Sequence, residues 1–180
     1  MTLPPQVKRI YTGTKDGAAK GPRAGMREWI SQALYQCPAL WDNGSYGIRP
    51  KKGKTSLSVH ATGRAWDASY RHMPNHKDAS NTKGMPKGRI ASLEFITRVT
   101  DNAAELGVEM IIDYHSDPQD FPNGRIWKCD RQAWRACKPG EINGVPGDWW
   151  HIEIDPMKAD SPIAVKAAYL KVFGDIRPKP

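Results

Sequence analysis

The sequence predicts an α+β domain, and three observations carry that prediction. The chain has 180 residues, the size of one domain. Three segments place apolar residues at spacings of three and four, the signature of amphipathic helices. Short β-like runs lie between them, which predicts a small antiparallel sheet flanked by helices, with long loops. Seven Trp and six Tyr supply core mass, while 16 Gly and 15 Pro mark many turns.

Residues 1–21 are rich in Pro, Gly, Lys and Thr without periodicity, and read as an extended arm over the domain. A helix over 23–36 follows, with Met26, Trp29, Ile30, Ala33 and Leu34 on one face and Pro38 as its stop. β-like runs are read at Leu57–His60 and Arg64–Tyr70. A second helix over 87–106 carries Ile90, Leu93, Ile96, Val99, Ala103 and Leu106 on one stripe, and Gly107 ends it. The strand Val108–Tyr114 comes next. The stretch from His115 to Asp148 is a long loop with one run at Ile126–Cys129, and its aromatics argue for ordered packing. The run Trp150–Ile154 precedes a third helix over 161–173, in which Ser161-Pro162 occupy the cap and first turn. Its expected face is Ile163, Ala167 and Leu170, and it ends at Gly174.

The net charge of +8 predicts an acidic partner surface. Basic residues are scattered, with only Lys51-Lys52-Gly53-Lys54 clustered and no nucleic-acid-reading motif beside them, so nucleic acid is not the expected partner. No secretory signal pattern is visible at the N-terminus, and the apolar stretches fall short of about 20 spanning residues, so no membrane insertion is expected. Cys37, Cys129 and Cys137 cannot all pair, which favours folding in a reducing cytosol, with Cys129 and Cys137 packing as small hydrophobes. His72 and His76 have helical spacing, but Pro74 between them argues for a solvated loop. His115 follows an apolar strand and could reach a site from its end.

The chemistry concentrates in two segments. In Ser58-Val59-His60-Ala61-Thr62-Gly63-Arg64-Ala65-Trp66-Asp67, Gly63 lets the chain turn so that His60 returns beside a strand carrying Asp67. In Asp148-Trp149-Trp150-His151-Ile152-Glu153-Ile154-Asp155, alternation puts His151, Glu153 and Asp155 on one face and the isoleucines on the other. Trp149 and Trp150 then face opposite sides, one toward a cleft and one toward the core. His60, Asp67 and His151 make two imidazoles and one carboxylate, a set suited to one Zn²⁺ with a fourth position left for water.

These residues resemble the zinc D-Ala-D-Ala carboxypeptidases and dipeptidases, with the related L-alanyl-D-glutamate endopeptidases of phage endolysins. Ser58, His60, Gly63, Ala65 and Asp67 fill the S-x-H-x-x-G-x-A-x-D motif, Trp150-His151 fills the W-H of E-x-W-H, and Gly47-Ile48-Arg49-Pro50 is similar to the G-Y-R segment. The resemblance implies a zinc peptidase acting on bacterial peptidoglycan, with zinc on His60, Asp67 and His151, and Arg49 binding substrate or its oxyanion. The lack of a signal pattern, one compact domain and a basic surface fit a phage lysin made in a host cytoplasm and acting at the cell wall, with a monomer expected. Where the family has Glu three residues before the second His, this chain has Asp148. Aspartate is shorter by about 1.5 Å, so the backbone must compensate for Asp148 to act as general base. Glu153 is placed to orient a ligand, and Ser58 to hold substrate or a neighbouring backbone group. The L-Ala-D-Glu bond is the first expected target. Terminal D-Ala-D-Ala is the alternative, and a zinc-bearing wall-binding module whose catalysis has lapsed is a third reading.

Overall fold

Helix α1 (Ala24–Gln36) opens the fold in a computed structural model that describes residues 7–51, 55–71 and 85–178. Its expected face is the one buried: Met26, Trp29, Ile30 and Ala33 enter the core, and Leu34 packs against it. Trp29 meets Trp66 and Tyr169 edge-on, at 6.1 and 5.5 Å between ring centroids. Its indole N–H donates to the Leu106 carbonyl at 3.2 Å, so burying it leaves no polar group stranded. Gly25 permits the close approach of the next layer, since a Cβ there would lie 2.0 Å from the Lys158 carbonyl oxygen.

Among the described residues the sheet has six strands in the order β1-β2-β6-β3-β4-β5, all antiparallel. They are β1 (Trp41–Asp42), β2 (Ala65–Ser69), β3 (Val108–Asp113), β4 (Arg125–Lys128), β5 (Ala133–Ala136) and β6 (Trp149–Ile154). Trp66, Ala68, Ile111, Trp127, Trp150, Ile152 and Ile154 belong to one core cluster, shared with residues of α1, α2 (Met85–Asp101), α3 (Ala103–Leu106), α4 (Pro156–Asp160) and α5 (Pro162–Phe173). Alternation sends Asp67, Met110, Ile112, His151 and Glu153 to the opposite face, where they line a cavity. The α+β class and the antiparallel sheet are therefore as the sequence predicts.

Several boundaries differ from the sequence reading, each for a local reason. The run at Leu57–His60 is not a strand: Val59–Thr62 form a 3-10 helix, and Leu57 makes only an isolated bridge to Pro50. The Ser58 hydroxyl accepts from the His60 N–H, and the Thr62 hydroxyl donates to the Val59 carbonyl at 2.8 Å, so short polar side chains stabilise a turn there. The helix read over 87–106 begins at Met85 and breaks at Asn102, whose side chain donates to the Arg98 carbonyl. On that helix Ile90 is exposed and Phe95 takes a core position instead. In α5 the buried face is Val165, Ala168 and Tyr169, whereas Ile163 and Leu170 face solvent. Ser161 caps α5 by accepting from the Ala164 N–H, and Pro162 sits in its first turn. The long loop contains a second strand, β5, paired with β4.

The described part of the N-terminal arm has no regular structure and is tied down by side chains. Arg9 pairs with Asp155, Thr12 bonds Glu109, and the Ala19 N–H donates to the Ala61 carbonyl at 2.8 Å. Arg64, fully buried, reaches Asp16, Glu109 and the carbonyls of Gly13 and Ile154. Among the described residues, no helix is long and apolar enough to cross a membrane.

Candidate metal centre

Three elements meet at one point. The 3-10 helix presents His60, β2 presents Asp67, and β6 presents His151 directly opposite Asp67 in the strand register. Gly63 makes the first of these possible. Its φ of +72° is the left-handed region, and an added Cβ would lie 2.6 Å from the Gly21 carbonyl oxygen. Gly63→Ala should therefore cost about 2–3 kcal/mol of stability, as strain at such a position does. Urea denaturation checks this, and an unchanged midpoint would remove the argument.

The ligand atoms are close together. His60 Nε2 lies 3.2 Å from His151 Nδ1 and 3.3 Å from Asp67 Oδ2, and His151 Nδ1 lies 2.9 Å from Asp67 Oδ1. Tetrahedral bonds of about 2.0–2.1 Å imply ligand separations of about 3.3 Å, so these spacings fit a single small ion. Both imidazoles are buried and Asp67 is half-buried. This His-Asp-His group can hold a metal ion.

A further layer orients the ligands. The second nitrogen of His151, Nε2, lies 3.0 Å from Glu153 Oε1, which fixes Nε2 as the donor and leaves Nδ1 to coordinate. Glu153 Oε2 accepts from the Tyr11 hydroxyl at 2.7 Å. Ala65 stands opposite Glu153 in the register, and its small side chain leaves the face open. Ser58 acts here as the cap of the helix that carries His60.

Without the metal, burial pulls the His151 pKa down, but hydrogen bonds and charge from Asp67 and Glu153 outweigh it and raise it to about 10. Burial likewise opposes charge on Asp67 and Glu153, yet their bonds to the histidines hold both below the usual carboxylate range. Because the folded pKa of His151 exceeds its unfolded value of 6.5, its stabilisation is complete below pH 6.5 and is lost as pH rises toward 10. The chelator-treated protein should thus lose stability between pH 6.5 and 10, read from urea midpoints. A His151→Ala variant should lack that slope. A flat wild-type profile would show that His151 is neutral when metal-free.

The cavity around the group has a volume of about 760 Å³. Trp149 and Tyr114, stacked at 4.6 Å, form one wall, and Met110, Ile112, Ile126 and Ile142 supply apolar surface. Arg49 lines it, is exposed, and has no carboxylate partner among the described residues. Lys51, Lys128 and Arg135 also line it, Arg135 being paired with Glu141. Trp149 faces this cavity and Trp150 the core, as alternation predicts.

Asp148 is not brought to the same point. Its carboxylate forms a two-pronged ion pair with Arg71, is buried, and is not among the groups lining the cavity. Asp148 lies one residue before β6, and continuing that strand's alternation backward puts 148 on the core side with Trp150 and Ile152. Arg71 and Tyr11 are the participants the sequence reading missed; each lies far along the chain from its partner, and no local motif marks either. His115 lies outside the cavity, its ring beside Phe121 and its backbone N–H donating to the Asp113 carboxylate. His72 and His76 lie outside the described residues. All three cysteines are free and buried, Cys137 beside Ile112 and Ile126, and burial pushes the Cys37 and Cys137 thiols up to about 11. Comparison with family models, with curated proteins and with solved structures finds no match to this chain.

Proposed function

We propose that this chain is a zinc peptidase, similar to the D-Ala-D-Ala carboxypeptidase and endolysin endopeptidase family, that hydrolyses a stem-peptide bond of bacterial peptidoglycan, L-Ala-D-Glu first. The observation that carries the reading is the convergence of His60 Nε2, Asp67 and His151 Nδ1 at tetrahedral spacing on the wall of an open cavity. Two nitrogens and a carboxylate oxygen suit zinc. When bound there, zinc supplies Lewis acidity toward a peptide carbonyl and toward water.

The remaining roles fall to the chain. Arg49 lines the cavity and offers a guanidinium to the oxygen that becomes negative during hydrolysis. The apolar wall accepts the alkyl parts of a stem peptide, and Lys51 and Lys128 face its carboxylates. Asp148 is the group we assign to carry a proton from the attacking water to the leaving amine, a role that requires the Arg71 pair to open and the backbone just before β6 to swing the carboxylate from the core side to the cavity. The charge of +8 fits an anionic wall polymer and an endolysin-like role at the wall.

The Arg71–Asp148 pair also favours a second reading, a zinc-bearing wall-binding module without turnover. Zinc content of the purified protein, hydrolysis of peptidoglycan and mass spectrometry of the released fragments separate the two. New stem-peptide ends with about one zinc per chain support the peptidase and name the bond. Zinc with wall binding but no cleavage supports the module. Absence of zinc uptake defeats both.

A further inference from the structure

We infer that the Tyr11 hydroxyl, on the N-terminal arm, is a positioning group for the metal centre, acting through Glu153 on His151; the inference rests on the metal site proposed above. The geometry is a three-member relay. Tyr11 Oη donates to Glu153 Oε2 at 2.7 Å, and Glu153 Oε1 accepts from His151 Nε2 at 3.0 Å, so both oxygens of one buried carboxylate are occupied. The Tyr11 ring is itself held. Lys128 Nζ lies 3.8 Å from its centroid, and on either side the arm is anchored by Arg9 to Asp155 and by Thr12 to Glu109.

A carboxylate held by one bond can rotate about its last torsion, whereas one held at both oxygens cannot without breaking a bond. Glu153 therefore keeps a fixed oxygen on His151 Nε2. That fixes the imidazole's angle and keeps Nδ1 available as the ligand atom, which is how partners behind metal-binding histidines act. The arm, 142 residues from Glu153 in sequence, thus contributes to the centre without touching the ion.

Metal affinity, measured by chelator competition with Zn²⁺ and Co²⁺, tests this without reference to turnover. Tyr11→Phe keeps the ring and its lysine contact, and should weaken affinity about 10-fold. Its Co²⁺ absorption spectrum should shift. Glu153→Gln should weaken affinity at least as much, and the double variant no more than Glu153→Gln alone, because Tyr11 acts through Glu153. Tyr35→Phe, which removes a hydroxyl bond from α1 to Asp175 and touches no member of the relay, should change affinity less than about twofold, within the scatter expected of independent sites. Wild-type affinity in Tyr11→Phe, additive losses in the double variant, or equal losses in Tyr35→Phe would each overturn the relay. Failure of the wild-type protein to bind either ion removes the metal site and the relay together, whereas zinc binding without wall cleavage leaves the relay standing and sinks the peptidase.

Discussion

His60→Ala is expected to abolish stoichiometric zinc binding and to lower peptidoglycan hydrolysis by more than about 10³-fold, since several kcal/mol of metal-derived stabilisation is lost at 1.36 kcal/mol per factor of ten. His60 supplies one of three ligand atoms, and the other two cannot close around an ion alone. The fold should survive. The 3-10 helix keeps its Ser58 cap, its Thr62 bond and the Gly63 turn, none of which uses the imidazole. Metal analysis after dialysis, together with circular dichroism and fragment release, checks all three points. Retained zinc at full occupancy would move the centre away from His60.

Asp148→Asn is expected to lower turnover about 10²- to 10⁴-fold while leaving zinc content unchanged, the range for loss of a general base. Asparagine preserves shape and one acceptor for Arg71, so any loss of stability should be about 1 kcal/mol or less, as Arg71 keeps a third of its side chain in water. A variant as active as wild type would reduce Asp148 to a structural partner of Arg71. Full zinc occupancy is the control that separates this outcome from damage at the ligands, because Asp148 touches none of them.

The metal group was legible in the sequence because its signals are local. Within ten residues, Ser58 caps, His60 offers a ligand nitrogen, Gly63 turns the backbone and Asp67 alternates with Trp66, and each follows from residue type and strand period. His151 and Glu153 follow from the same period in β6. The 3-10 helix was hidden for a related reason, since a run of four residues carries no period that separates strand from turn. Ile163 and Leu170 show the opposite limit. They satisfy a helical stripe, yet α5 turns Val165, Ala168 and Tyr169 inward, because the face that packs is chosen by α1 and α3 rather than by hydrophobicity alone.

The sequence by itself determined the α+β class, the three residues of the candidate metal group and the faces of β2 and β6, all properties of spacing over a few residues. Only the tertiary structure decided that Tyr11 stands behind Glu153, that Arg71 holds Asp148, and that Arg49, at the cavity, has no carboxylate partner among the described residues. The physical reason is range. Periodicity and turn chemistry act along the chain, whereas an ion pair or a hydrogen bond between residues 77 or 142 positions apart exists only once packing has brought them within about 3 Å.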